Sequence, residues 1–114
     1  MINNYKMKSE YDRYRELDRI LGIAWTQAAI GKGVQRHGSK KPFQEQIICE
    51  ITRRLGLGFP LGQVWKKTHE SLHHIKMGKR DAAIAELLGA INYIAAAILV
   101  IEEMTLIVPV EEKE

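Results

Sequence analysis

The residues able to do chemistry gather in the second half of the chain. His69-Glu70-Ser71-Leu72-His73-His74 places His69 and His73 at i and i+4, and Glu70 and His73 in a Glu-x-x-His spacing. Both spacings put imidazole and carboxylate on one helical face, as a metal site in a helical bundle needs. A di-iron bundle repeats Glu-x-x-His on a second helix, whereas this sequence carries it once, so a solvated helix face explains the same residues. Further on, Glu86, Asn92 and Tyr93 are polar members of a stretch otherwise built from alanine, glycine and large aliphatics. A carboxylate in such surroundings must find partners or give up its charge more readily.

A cluster of cations is the other candidate. The connection from Lys32 to Lys41 holds Lys32, Arg36, Lys40 and Lys41, two glycines and no acid. Cations and glycine amides suit a phosphate, and Lys66 and Lys67 could join them. The order of a Walker A loop, Gly-x-x-x-x-Gly-Lys-Ser/Thr, is missing, so an exposed loop is the competing reading. Cys49 stands alone on an amphipathic stretch and reads as packing. Nothing in the chain marks a Ser/His/Asp arrangement.

These residues are positioned by four helical stretches. The first starts at Ser9, where Ser9-Glu10-Tyr11-Asp12 resembles a capping box, and carries the stripe Tyr14, Leu17, Leu21, Ala24 and Ala28 up to Gly31. Pro42 suits the first turn of a second helix, with Phe43, Ile47, Ile48, Ile51 and Leu55 as its stripe and Gly56 as its stop. A third runs from about Leu61 to Met77, with Leu61, Trp65, Thr68, Leu72 and Ile75 as its seam, and Gly78 closes it. The fourth begins near Arg80, with Asp81 as N-cap, and continues to about Met104. No alternating strand pattern competes. The expected fold is all-α, a single four-helix bundle-like domain over residues 1–114, with residues 1–8 and 105–114 as peripheral tails.

The fourth helix is apolar all round. Ile84, Leu87, Leu88, Ile91, Ile94, Ile98 and Leu99 form a bulky face, expected to be the core stripe. The opposite side carries Ala82, Ala85, Gly89, Tyr93, Ala96, Ala97 and Val100, with Glu86 and Asn92 as its polar members. Three other helices in a chain this short could hardly enclose a central helix completely, so the small-residue face is expected to meet a second copy, giving a homodimer or homotetramer through the fourth helix; cover by the first helix or the C-terminal tail of the same chain is the competing reading. The uncharged run, Leu87 to Ile101, is 15 residues long. A span wants about 20, so the helix reads as buried and no membrane partner is expected.

Composition sets the remaining bounds. The chain has 114 residues, 46% hydrophobic and 27% charged, which is ordinary for a globular domain. One cysteine excludes an internal disulfide framework. The net charge is +3, but residues 102–114 carry five acids against one lysine, leaving +7 on the rest. That excess favours anionic partners such as nucleotides or nucleic acid. Arg53 to Trp65 fits a helix-turn-helix poorly, so nucleic acid has no motif behind it. Met1 to Ser9 has no apolar signal region, and a cytoplasmic location is expected.

The third and fourth helices together resemble one family. Lys67-Thr68-His69-Glu70-Ser71-Leu72, followed by Glu86-Leu87-Leu88-Gly89-Ala90-Ile91-Asn92-Tyr93, is similar to the MazG-like, all-α nucleoside triphosphate pyrophosphatases. Those enzymes set Glu-x-x-Glu on one helix and Glu-x-x-Asp on the next, hold magnesium with the carboxylates and cleave nucleotides between the α and β phosphates. The resemblance covers residues 60–101. It implies that Glu70 and Glu86 are metal or ribose contacts, with Mg as the possible cofactor. Lys67 stands where the other first-motif acid belongs and Gly89 where the aspartate belongs. The sequence-based expectation is therefore a binder of a phosphorylated small molecule or nucleotide with weak or no hydrolase activity. In that reading Lys66 and Lys67 meet phosphate, Asn92 and Tyr93 line the pocket, and Lys32, Arg36, Lys40 and Lys41 are auxiliary cations. The alternatives are a non-enzymatic interaction or nucleic-acid-associated module, of phage type, and a metal-binding bundle using His69, Glu70 and His73.

Overall fold

A computed structural model describes residues 10–30 and 40–107. After a helical turn at 10–13, α1 spans Arg15–Ala29. A short 3-10 helix, Phe43–Glu45, precedes α2 at Ile47–Leu55; α3 is Gly58–Lys76 and α4 is Arg80–Ile107. All of these elements are helical, and the helices pack together as an all-α bundle around α4, which touches α1, α2 and α3. Its closest pairing is with α3, antiparallel to it across a tight turn.

Local chemistry explains the boundaries. Gly56 (φ 93°) and Gly78 (φ 74°) take the left-handed conformation after α2 and α3 that side chains with a Cβ resist. At the end of α3 the Lys79 amide donates to the His74 carbonyl at 2.8 Å, and the Gly78 amide to that of Ile75 at 3.0 Å. These bonds occupy carbonyls that a helix end leaves unsatisfied. The third helix starts at Gly58, earlier than the expected Leu61, because Pro60 falls within the first turn, where its missing N–H costs nothing. The fourth starts at Arg80, so Asp81 sits in its first turn, and it continues past Met104 to Ile107. The proposed Ser9 cap and the tails at 1–8 and 108–114 lie outside the described residues.

The interior overturns the expected division of faces. The buried apolar residues are Ala24, Cys49, Ala83, Leu88, Ala90, Ala96, Ala97 and Val100. Ala96 is 0% exposed and Ala97 3%, whereas Ile98, the next residue, is 51% exposed. Ile84, Leu87, Ile94 and Ile101 are exposed with it. So most of the small-residue side of α4 is covered by its own chain, with Ala85 near the turn left exposed, and most of the bulky side faces out. The physical reason is distance: alanine and glycine let the backbones of α1, α2 and α3 come close, while isoleucine would hold them off. The seams assigned to α1 and α3 are likewise largely exposed, with Tyr14, Leu17, Leu21, Trp65 and Leu72 turned outward. Two buried hydroxyls are satisfied within their own helices, Thr52 Oγ1 donating to the Ile48 carbonyl and Ser71 Oγ to that of Thr68.

Candidate functional site

Three of the residues singled out in sequence, Lys67, Glu86 and Tyr93, do meet, and His74 joins them. Lys67 and His74 are seven residues apart on α3, two helical turns, and therefore share a face. That face lies on α4 at Glu86. Lys67 Nζ donates to Glu86 Oε1 at 3.3 Å, and His74 Nε2 lies 3.5 Å from Glu86 Oε2. All three side chains are about three-quarters buried. The Lys67 ammonium also stands 5.8 Å from the centre of the Tyr93 ring, within cation–π range. Phe59 meets the same ring edge-on at 5.8 Å. Gly89 makes room for this: a Cβ there would come within 3.2 Å of the Lys67 side chain.

The cluster is a clamp between helices. Glu86 offers one oxygen to a fixed cation and the other to an imidazole, whose attraction exists only when the ring is protonated. His74 Nδ1 is buried with no hydrogen-bond partner among the described residues. Asn92 acts elsewhere, donating from Nδ2 to the Ala24 carbonyl at 3.0 Å and so tying α1 to α4. Beside that bond an apolar groove of about 320 Å³ opens between α1, the 3-10 helix and α4, lined by Leu21, Trp25, Phe43 and Ile91 among others.

The other candidates are dispersed. Glu70 is half-buried and joins no hydrogen bond or ion pair among the described residues. Lys66, His69 and His73 are exposed, as are Lys40 and Lys41, whose backbone carbonyl accepts from Gln46 Nε2 in the case of Lys41. Lys32 and Arg36 lie outside the described residues. Among the described residues no three His, Cys, Asp or Glu side chains gather to hold a metal ion, so the His69, Glu70 and His73 grouping does not form one. His74, passed over in favour of its neighbours, is the histidine that enters the cluster. Its seven-residue spacing from Lys67 was the available signal.

A second charged contact ties α2 to α4. Arg53 donates to both Glu103 oxygens at 2.8 Å. The Arg53 hydrogen bond holds the Glu103 carboxyl below its ordinary value, and the same bond raises the guanidinium. Burial pushes the Cys49 thiol up, which suits an inert packing residue. The chain matches no protein-family model, and no curated protein or solved structure matches it either.

Proposed function

We propose that this chain is a non-enzymatic helical interaction module that works as a homo-oligomer. The observation behind it is the inverted distribution of side chains: alanines fill the interior, while Trp25, Trp65, Leu72 and, on α4, Ile84, Ile94, Ile98 and Ile101 lie outside. Apolar side chains in such number on the surface of a small domain mark a contact surface. The nucleotide-binding reading, with Mg on Glu70 and Glu86, draws less support. Glu86 is engaged by Lys67 and His74, and Glu70 is not part of that cluster.

The segment Arg80–Met104 is long and apolar enough to cross a membrane by length and composition. Yet α3 lies along it and presses Lys67 and His74 against it, so a spanning α4 would have to shed its closest neighbour. An assembly in water accounts for the same surface without that loss. Sedimentation velocity across the micromolar range tests the proposal. A defined oligomer is expected, unchanged by magnesium and nucleoside triphosphates. A monomer throughout, or release of pyrophosphate from a nucleotide, overturns it.

A further inference from the structure

The outward rows on α3 and α4 share a property that their exposure alone does not give. On α3 the row is Leu61, Trp65, Thr68, Leu72 and Ile75; on α4 it is Ile84, Leu87, Ile91, Ile94, Ile98 and Ile101, all exposed except the half-buried Thr68 and Ile91. Both keep an unbroken alternation of three- and four-residue steps, the spacing of positions a and d in helices that pack side by side. The turn at Gly78 folds one row back beside the other. Ile75 then stands level with Ile84, Leu72 with Leu87, Thr68 with Ile91, Trp65 with Ile94 and Leu61 with Ile98. The observed contacts of His74 with Glu86 and of Lys67 with Tyr93 agree with this alignment to within one residue.

Both rows turn to the same side. The face of α3 that meets α4 contains Pro60, Lys67, Ser71 and His74, and the Leu61–Ile75 row lies about a quarter-turn round from it. On α4 the face toward α3 contains Glu86, Gly89 and Tyr93, and its row lies more than a quarter-turn round. Because the helices run antiparallel, these rotations carry both rows to one side of the hairpin. The result is a continuous apolar face in which Trp65 is 78% exposed and Leu72 64%.

We infer that this face is covered by the same face of a second copy, so that two α3–α4 hairpins close into a four-helix bundle. The inference rests on the self-association proposed above and assigns its surface. Three observations select this occupant. The row periodicity is that of helices packing on helices, which a flat lipid surface does not require. The area is adequate: the exposed parts of these side chains amount to on the order of 1,000 Å² per subunit, against about 800 Å² for a standard interface. The ends of the face differ in charge, with Lys76, Lys79 and Arg80 outnumbering Asp81 at the turn, and Glu102 and Glu103 outnumbering Arg53 at the other end. An antiparallel two-fold arrangement brings unlike ends together, and lays Leu72 of one copy over Trp65 of its partner.

The test uses the full chain, with Trp25→Phe present so that emission reports Trp65 alone. In the oligomer that emission is expected to be blue-shifted, moving to the red on dilution as subunits separate. Leu72→Glu and Ile98→Lys should each weaken association at least 100-fold while helical circular dichroism is retained. Trp65→Gln, a milder change at the most exposed site, should weaken it at least tenfold. An oligomer that keeps its association in all three variants, with Trp65 emission indifferent to dilution, overturns this surface and leaves self-association standing. A chain that is monomeric at every concentration overturns both. Flotation with neutral phosphatidylcholine vesicles in place of self-association also overturns the inference.

Discussion

The two sides of α4 are made from similarly apolar residues and do opposite things. One, with Ala83, Gly89, Ala90, Ala96, Ala97 and Val100, is closed over by α1, α2 and α3 of the same chain; the other, with Ile84, Leu87, Ile94, Ile98 and Ile101, is open. Hydrophobicity does not separate them, since every one of these residues except glycine prefers to leave water. Size does. Small side chains permit close approach and give the chain its own interior, and large ones supply area for a surface that still needs a partner.

Neighbouring positions test this contrast most directly. Ala97→Leu forces extra methylenes into a closed interface and should lower stability by about 2–3 kcal/mol in urea titration. Ile98→Ala, one residue along, should change the monomer by less than about 0.5 kcal/mol, while abolishing the dependence of the midpoint on protein concentration. Equal effects from the two would erase the distinction. A smaller loss is expected where the closed side carries charge. Glu86→Ala leaves Lys67 and His74 partly buried without a carboxylate and should cost about 1–2 kcal/mol by the same titration. Lys67→Met in the same background should recover part of it, since the unpaired ammonium is then gone.

The smallest effect belongs to the rim of the closed side. Glu103 is held below its ordinary value of 4.5 in the folded chain by Arg53. Its contribution is therefore present above that value and lost as the pH falls through the lower folded one. Glu103→Gln should be slightly less stable than the parent at neutral pH and indistinguishable from it in acid, as followed by thermal melts across pH 2–7. A difference that persists in acid would assign the effect to packing rather than to the ion pair.

Much of the framework was legible from the sequence. The glycines at 56 and 78 and the aliphatic periodicity located four helices, and the all-α class followed. Boundaries moved where a competing signal existed: Gly58-Phe59-Pro60 reads as a turn, yet proline within a first turn is compatible with helix. What periodicity did not reveal was which stripe faces inward. A three-four stripe says that large side chains line up; it does not say whether the chain or a neighbour covers them. On α4 and α3 that choice went to the small residues. The Lys67–Glu86 contact was legible only in part. Glu86 was marked as a carboxylate in need of partners, but the cation that supplies it stood among candidate phosphate contacts, because spacing along one helix does not specify what the next helix presents.

The bond from the Asn92 amide to the Ala24 carbonyl joins a side chain of the most extensively packed helix to the backbone of the least covered one. Ala24 is the single buried residue of α1. With so little apolar area holding that helix in place, its docking energy is modest, and Asn92 acts as a latch. When the latch lets go, α1 can swing away at a fraction of the free energy needed to separate α3 from α4, uncovering the groove it flanks while the hairpin stays whole. The molecule thus has two tiers of solidity, with a loosely moored outer arm and a firm central pair.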